Sequence, residues 1–248
     1  YISLTGALFA TGRRDQKPVP PLNLVGDMGG GGMLLVNGIL AALLESSQSG
    51  RGQVIDVAMV DGAAQLMWMM HGFEALGAWN AEQRESNMLD GAAHFYDTYE
   101  CACGGYVSIG SIEPQFYALL LELTGADPEM FRDQHQQDQW PVMKAALAEV
   151  FRSKTRDQWC QIMEGSDVCF APVLSFTEAP DYPANKAREV YQTVDGVTQP
   201  APAPRFSRTP SEIAHGAHSI GEDTDRVLQA MGFAIHEIAQ LKEHNSIA

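Results

Sequence analysis

Asp27 lies two residues before a run of four glycines, Gly29 to Gly32, which opens into an apolar helical segment. Such a carboxylate can be an N-cap, because it accepts hydrogen bonds from the free amides of a first helical turn, and spacing alone favours this interpretation. It can belong to a phosphate loop, but no Walker lysine and no G-x-G-x-x-G spacing accompanies it. It can also be a catalytic acid or base.

The glycine run is longer than an N-cap requires. Glycine lets a backbone approach a ligand closely, and amides at the start of a helix can bind a phosphate or a developing oxyanion. A carboxylate beside such donors suits enolate chemistry. We therefore expect a loop here, in which Met28, Gly29, Gly30 and Gly31 approach the ligand.

The other candidate groups are weaker when taken alone. Glu113 precedes Pro114 and is typical of an acid at a helix start. His94 lies by a predicted hairpin and is expected at the surface, whereas His71, among methionines on a helix, is expected in the core or at an interface. Cys101 and Cys103 lack a second ligand pair at metal spacing, so we predict no metal site.

Methionines are concentrated in the first 90 residues. They can fill an irregular core or interface, since methionine adapts to gaps, or they can line a site for an acyl group. The sequence leaves both possibilities open for Met28, Met33, Met59, Met67, Met69, Met70 and Met88.

The elements that position Asp27 follow it in the chain. The apolar pattern predicts a buried helix from Met33 to about Ser47. "QVIDVAMV", residues 53–60, alternates and is rich in β-branched residues, so it predicts a strand. A second helix is expected over 61–76, with Asp61 as its N-cap. This succession suggests part of an α/β sheet.

The next part of the chain has a different pattern. "HFYDTYE" and "YVSIGSI" predict two strands joined by a hairpin at "CACGG". Helices are expected near 114–123, 141–152 and 155–164, followed by a short strand in "CFAPVLSFTEA". "TQPAPAPRFSRTP" predicts an extended connector, and "GEDTDRVLQAMGF" a last helix.

Composition excludes several classes of protein. The 248 residues carry a formal net charge of −15, which argues against nucleic-acid binding. No apolar run reaches the roughly 20 residues of a membrane span, and no signal-peptide pattern is present. Four cysteines are few for this length, which suits a reducing compartment. We expect a soluble cytoplasmic protein without membrane partners.

Several blocks resemble those of one protein family. They are "GDMGGGGMLLVNGILAALLE", "QRESNMLDGAAHFYDTYE", "GSIEPQFYALLLELTG", "SDVCFAPVLSF" and "APAPRFSRTP". In this order they resemble the α-methylacyl-CoA racemases, a branch of CoA-transferase family III, which also includes formyl-CoA and carnitine-CoA transferases. The resemblance covers nearly the whole chain.

The resemblance implies an α/β fold made of part of a Rossmann-like large domain and a smaller α+β domain. It implies a homodimer of interlocked rings in which the active site is shared between subunits. The second half of the large domain is expected over residues 1–60 and a linker helix region over 61–91. The small domain is expected over 92–182. A proline-rich linker is expected over 183–212, and a helix that returns to the large domain over 213–248.

The resemblance also implies roles for single residues. Asp27 matches one of the two bases that face the substrate α-carbon, and Glu113 matches the glutamate that hydrogen-bonds the catalytic histidine. Tyr1 matches the end of the segment that lines the path of CoA. The histidine base and the CoA-binding arginines would lie upstream of Tyr1. His94 replaces the proline that the family has at this position.

The implied activity is that of an isomerase of lipid and fatty-acid metabolism. It racemises or epimerises 2-methylacyl-CoA thioesters through an enolate, without a cofactor, and acyl-CoA is the substrate. The chain by itself is expected to be inactive, because it lacks the histidine. The alternatives are a family III CoA-transferase that uses Asp27 as its nucleophile, and an inactive fragment that only dimerises.

Overall fold

The computed structural model describes residues 1–247, which divide into two compact units between Val173 and Leu174. The first unit begins with helices only. Glycine and turn residues separate short pieces at the start, and good helix formers sustain the longer ones. These elements are the 3₁₀-helix Ile2–Leu4, α1 (Ala7–Ala10), the π-helix Leu24–Met33, α2 (Leu34–Ser49), α3 (Met59–Leu66) and α4 (Trp68–Ala75).

The helix predicted after Asp27 is present, but the prediction that it is buried is wrong. No residue of α2 is buried, and Leu40 and Leu44 are 62% and 65% exposed. Gly50 ends the helix in the left-handed conformation, as expected for a glycine at this position. The apolar side chains of α2 therefore form an uncovered surface.

The strand predicted over residues 53–60 does not form. Residues 53–58 are irregular, α3 begins at Met59, and Val54 is 95% exposed. A strand is held by hydrogen bonds to a neighbouring strand, and no described strand pairs with this segment. Asp61 is not the N-cap, because Ala58 occupies that position. The single helix predicted over 61–76 breaks at Met67 into α3 and α4.

The π-helix and α2 run together over 26 residues, Leu24–Ser49, which is long and apolar enough to cross a membrane. The expectation that no segment reaches this length is wrong because it treated the glycines as a loop. Length and composition alone do not identify a membrane span, since the core helices of water-soluble proteins share both.

The three strands predicted in this part of the chain are present, and they form one antiparallel sheet. Its order is β1 (Tyr96–Glu100), β2 (Tyr106–Gly110) and β3 (Phe170–Val173). Tyr99 pairs with Val107, which in turn pairs with Pro172. The "CACGG" segment makes the turn between β1 and β2, which confirms the predicted hairpin.

Three helices pack on this sheet, close to the predicted positions. They are α5 (Pro114–Thr124), α6 (Trp140–Arg152) and α7 (Arg156–Met163), with a 3₁₀-helix at Gln137–Gln139 before α6. Their apolar faces meet the inward side of the sheet in one core. The largest fully buried side chains of this core are Trp159, Phe95, Phe131, Phe151, Leu120 and Leu147.

The second unit contains a hairpin that the sequence did not predict. Its strands, β4 (Tyr191–Val194) and β5 (Val197–Pro200), lie where a proline-rich linker is expected. The predicted last helix is present but is followed by another. The described part of this unit contains α8 (Pro183–Ala187), α9 (Thr224–Ala230) and α10 (Ile235–Glu243), with a 3₁₀-helix at Ala179–Asp181 before α8. The domain limits expected from the sequence remain predictions.

Candidate active site

Asp27 lies in the first turn of the π-helix. Its side chain is exposed and makes no hydrogen bond or ion pair with residues 1–247. The N-cap is Asn23, which also accepts the i→i−5 bond from the amide of Met28 at 3.1 Å. Asp27 is therefore not an N-cap, and its carboxylate remains open to a ligand.

The glycine run is helical, so the expected loop is not present. Gly30 is buried, and a Cβ built on it would lie 2.8 Å from the backbone nitrogen of Ala63. A Cβ on Gly31 would lie 3.2 Å from Cγ of Met59, and one on Gly29 would lie 3.4 Å from Cδ1 of Leu66. These glycines pack the π-helix against α3. Their role in ligand binding stays a prediction.

Two further predicted binding residues are accessible. Met28 is 53% exposed and Tyr1 is 70% exposed. Tyr1 is the N-cap of the first 3₁₀-helix, and Leu4 donates its amide to the carbonyl of Tyr1 at 2.9 Å. Ile2 approaches the π-helix, because a Cβ on Gly26 would lie 3.3 Å from its Cγ2. The chain segment of Tyr1 thus lies beside the segment of Asp27.

Glu113 is the N-cap of α5, as its position before Pro114 predicts, but its side chain is exposed and makes no cap hydrogen bond. The backbone that leads to it is firmly held. The side-chain amide of Gln134 donates to the carbonyls of Ser111 and Ile112 at 3.2 and 2.9 Å. The hydroxyl of Ser111 donates to the carbonyl of Val168 at 2.5 Å. The backbone that precedes Glu113 is therefore fixed, while the carboxylate of Glu113 is exposed.

Cys169 lies within electrostatic range of Glu113. Burial raises the pKa of the Cys169 thiol, and the negative charge of Glu113 raises it further. Cys169 also has a φ of +57°, in the left-handed region that non-glycine residues rarely occupy. No hydrogen bond joins Asp27 to Glu113 in the described part of the chain.

His94 is fully buried, contrary to the expectation of a surface histidine. Its Nε2 lies 2.7 Å from the hydroxyl of Tyr117, which donates to the carbonyl of Phe131 at 2.9 Å. The single hydroxyl proton of Tyr117 is thereby used, so His94 donates from Nε2 and its buried Nδ1 has no partner. Burial, and then the nearby His135, lower the pKa of His94 to about 4.

His71 is not part of the core. Its side chain is 67% exposed and its Nδ1 lies 3.9 Å from a carboxylate oxygen of Glu74. The alternative that His71 lies at an interface stays a prediction. All four cysteines are free thiols, and residues 1–247 contain no cluster of acids, histidines and cysteines that could hold a metal ion.

A four-charge cluster was missed by the sequence reasoning. Arg13 binds Asp97 through two nitrogens at 2.7 and 2.9 Å and Glu85 at 2.8 Å. Lys144 lies 3.1 Å from Glu85 and 2.5 Å from Asp97, whose side chain is only 6% exposed. The signal was present in "YDTYE", because Asp97 alternates onto the same side of β1 as the buried Tyr99.

The cluster is electrostatically balanced. Burial opposes the charge of Glu85, but hydrogen bonds from the Arg14 backbone and the Arg13 and Lys144 side chains lower its pKa overall. The hydrogen bond to Asp97 raises the pKa of Arg13. Two cavities of ≈ 740 and ≈ 600 Å³ border the sheet here. Arg13 and Asp97 line both, whereas Asp27 lines neither.

The motifs and the mixed helix-and-sheet fold agree with a comparison against known families. The model of CoA-transferase family III matches residues 1–224, which is most of the chain. The chain belongs to this family.

Similar proteins narrow the relationship. The chain is 46% identical to the alpha-methylacyl-CoA racemase of Mus musculus, over 97% of the chain and 64% of that protein. It is 41% identical to the alpha-methylacyl-CoA racemase of Homo sapiens, over 100% of the chain and 65% of that protein. The chain thus spans less than two thirds of the length of these curated relatives.

Solved structures support the fold. A CAIB/BAIF family protein from Brucella suis superposes with a TM-score of 0.73 at 21% identity, over 92% of this chain and 61% of the other. Rv3272 from M. tuberculosis superposes with a TM-score of 0.67 at 20% identity, over 90% of this chain and 59% of the other.

Proposed function

We propose that the protein to which this chain belongs racemises 2-methylacyl-CoA thioesters. The observation that carries the proposal is the 46% identity, over 97% of the chain, to a protein named alpha-methylacyl-CoA racemase. The exposed, unpaired carboxylate of Asp27 at a helix start supports it, since an acid/base group must be accessible and free of other partners.

The chemistry needs two groups. A proton α to a thioester carbonyl is weakly acidic, so its removal requires a positioned base and stabilisation of the enolate oxygen. Inversion requires that one group removes the proton from one face while another returns a proton to the opposite face. Asp27 serves one face in this proposal. A histidine upstream of Tyr1 serves the other, and Glu113 of a partner subunit hydrogen-bonds it.

The remaining predictions follow from this proposal. The protein is a homodimer whose active site is shared between subunits, it needs no cofactor, and it acts on lipid-derived acyl-CoA in the cytoplasm. Asp27, Met28, Gly29, Gly30, Gly31 and Tyr1 line the path of the substrate.

A CoA-transferase is the second candidate. The matching family model describes CoA-transferases, and a relative from Fusarium pseudograminearum that is 26% identical is named acyl-CoA transferase. In that reaction the Asp27 carboxylate attacks the thioester carbonyl, the carbon–sulfur bond breaks, and CoA leaves as a thiolate while a mixed anhydride forms.

One experiment separates the two candidates. The full-length protein is incubated in D₂O with one enantiomer of a 2-methylacyl-CoA, and deuterium at the α-carbon is followed together with configuration. Deuterium uptake with loss of configuration is the expected result. A covalent adduct on Asp27 without exchange would instead establish the transferase. A 2,2-dimethylacyl-CoA, which has no α-proton, is the matched control, since it can acylate Asp27 but cannot exchange.

A further inference from the structure

The backbones of the π-helix and α3 touch where Gly30 meets Gly62. A Cβ built on Gly62 would lie 1.9 Å from the carbonyl oxygen of Gly30 and 2.7 Å from its Cα. A Cβ built on Gly30 would lie 2.8 Å from the amide nitrogen of Ala63. Real Cβ atoms do not approach backbone this closely, so a side chain at residue 62 would force the two helices apart.

The contact is buried and backed by further packing. Gly30, Gly62 and Ala63 are all buried, and Ala63 is fully so. The end of a flexible side chain can rotate away from a new Cβ atom, but backbone atoms cannot. The close backbone contact therefore determines the distance between the π-helix and α3. The π-helix itself is a rare type of helix that occurs frequently at functional sites.

Asp27 depends on this contact for its position. Its side chain has no hydrogen-bonding partner in residues 1–247, so only the backbone of its helix aims it. Asp27 lies one residue after Gly26, which approaches Ile2, and three residues before Gly30. A displacement at Gly30 is therefore transmitted to Asp27 within one turn of the same helix.

We propose that Gly62 is a positioning residue for Asp27: its lack of a side chain sets how far the π-helix stands from α3 and thereby where the carboxylate meets the substrate. This inference rests on the proposed function, because it assumes that Asp27 acts on the α-carbon. A misplacement of about 1 Å can lower the rate of a reaction by about 100-fold.

The test compares Gly62→Ala with two glycine controls in the full-length protein. Gly72→Ala places a Cβ in open space, with nothing within 4 Å, and should leave α-proton exchange unchanged. Gly38→Ala places a Cβ 3.1 Å from Cγ2 of Ile55, so it disturbs packing eleven residues from Asp27 along the chain. Gly62→Ala should lower the rate of exchange by about 100-fold, beyond any loss that the Gly38→Ala variant shows.

A double-mutant cycle gives the readout that a merely structural role would not produce. If Gly62 acts through Asp27, then Gly62→Ala should not lower the residual α-proton exchange of Asp27→Asn, which the opposite base sustains at one face of the α-carbon. Equal losses in both backgrounds would overturn the inference. If Gly62→Ala does not fold, Ala63→Ser takes its place, since Ala63 is fully buried at the same contact and serine adds one atom.

The outcomes also separate this inference from the proposed function. Absence of exchange in the wild-type protein would contradict the racemase itself. Exchange in the wild type that Gly62→Ala leaves at full rate, in a folded protein, would contradict only the positioning role.

Discussion

At the scale of single residues, the buried Nδ1 of His94 has no hydrogen-bonding partner, and this affects how stable the fold is at acid pH. Its ring lies among Phe95, Tyr117 and Phe131, and the hydroxyl of Tyr99 donates to its backbone carbonyl at 2.6 Å. Protonation of Nδ1 would bury a charge without a partner, which the apolar surroundings oppose. The folded protein therefore holds His94 neutral.

We expect the free energy of unfolding to fall as the pH is lowered from about 6.5 to about 4. In this window the unfolded chain binds a proton at His94 but the folded protein does not, which gives a loss of up to about 3 kcal/mol. Urea unfolding at a series of pH values measures it. Glu85 has a lowered pKa in the folded protein, so its stabilisation is lost at lower pH, below its ordinary value of 4.5.

His94→Phe should remove this loss between pH 6.5 and 4 while leaving the loss due to Glu85. His135→Gln is the matched control, because His135 is exposed and only the minor cause of the pKa shift of His94. A His94→Phe variant that is as acid-sensitive as the wild type would contradict the assignment of a buried neutral histidine.

The four-charge cluster supplies a second prediction at this scale. Asp97→Asn should lower the free energy of unfolding by about 2 kcal/mol or more, because Arg13 and Lys144 lose a carboxylate that is almost fully buried. Glu149→Gln is the control: it breaks an exposed pair with Arg152 and should cost less than about 1 kcal/mol. Equal costs in urea unfolding would show that burial does not strengthen the cluster.

At the scale of elements, α7 shows how local sequence determines a helix. Thr155 and Gln158 form a capping box: the amide of Gln158 donates to the Thr155 hydroxyl at 3.3 Å, and the amide of Thr155 donates to Gln158 Oε1 at 2.9 Å. The helix that follows buries Trp159 and Met163 in the core. The capping box and the burial of these side chains both favour a helix here, and the sequence predicted this helix correctly.

Thr155→Ala should therefore lower the free energy of unfolding by about 1 kcal/mol, since one first-turn amide loses its acceptor. Ser153→Ala is the control, because its hydroxyl is exposed and bonds only to the carbonyl of Val150 three residues earlier. Thermal or urea unfolding of both variants measures the difference. A Thr155→Ala variant no less stable than Ser153→Ala would contradict the role of the cap.

Two elements were predicted incorrectly from the sequence, because their structure depends on contacts with other parts of the chain. Residues 53–58 have a strand pattern, but a strand needs a partner, and none of the described strands supplies it. The glycines after Asp27 favour a loop by propensity, yet they lie in a helix whose Gly30 packs against Gly62. By contrast, β1, β2 and α5 to α7 share one core, so local pattern and packing agree there.

At the scale of the whole molecule, the uncovered face of α2 is the main feature. Leu35, Val36, Ile39, Leu40, Leu43 and Leu44 are all at least 41% exposed. A contiguous exposed apolar surface is typical of a contact with protein, with membrane or with a ligand, or of a tendency to aggregate. The sequence predicted the helix but not its exposure. An apolar pattern indicates a helix, but it does not show whether another element covers the apolar side chains.

We expect residues 1–248, prepared alone, to self-associate through this face. Sedimentation at micromolar concentrations should show species larger than a monomer. Replacing both Leu40 and Leu44 with glutamate should shift the distribution towards monomer, whereas replacing the exposed Val54, which lies outside the helix, should not. A monodisperse monomer of the unaltered chain would contradict this expectation.

Asp27 is proposed as an acid/base group of a racemase, and the most direct test is whether full-length Asp27→Asn inverts one enantiomer of a 2-methylacyl-CoA in D₂O. Asp61→Asn is the matched control, because Asp61 is likewise an exposed aspartate in the first turn of a helix. Asp27→Asn should abolish racemisation while Asp61→Asn retains it. Racemisation at the wild-type rate by Asp27→Asn would contradict this role of Asp27.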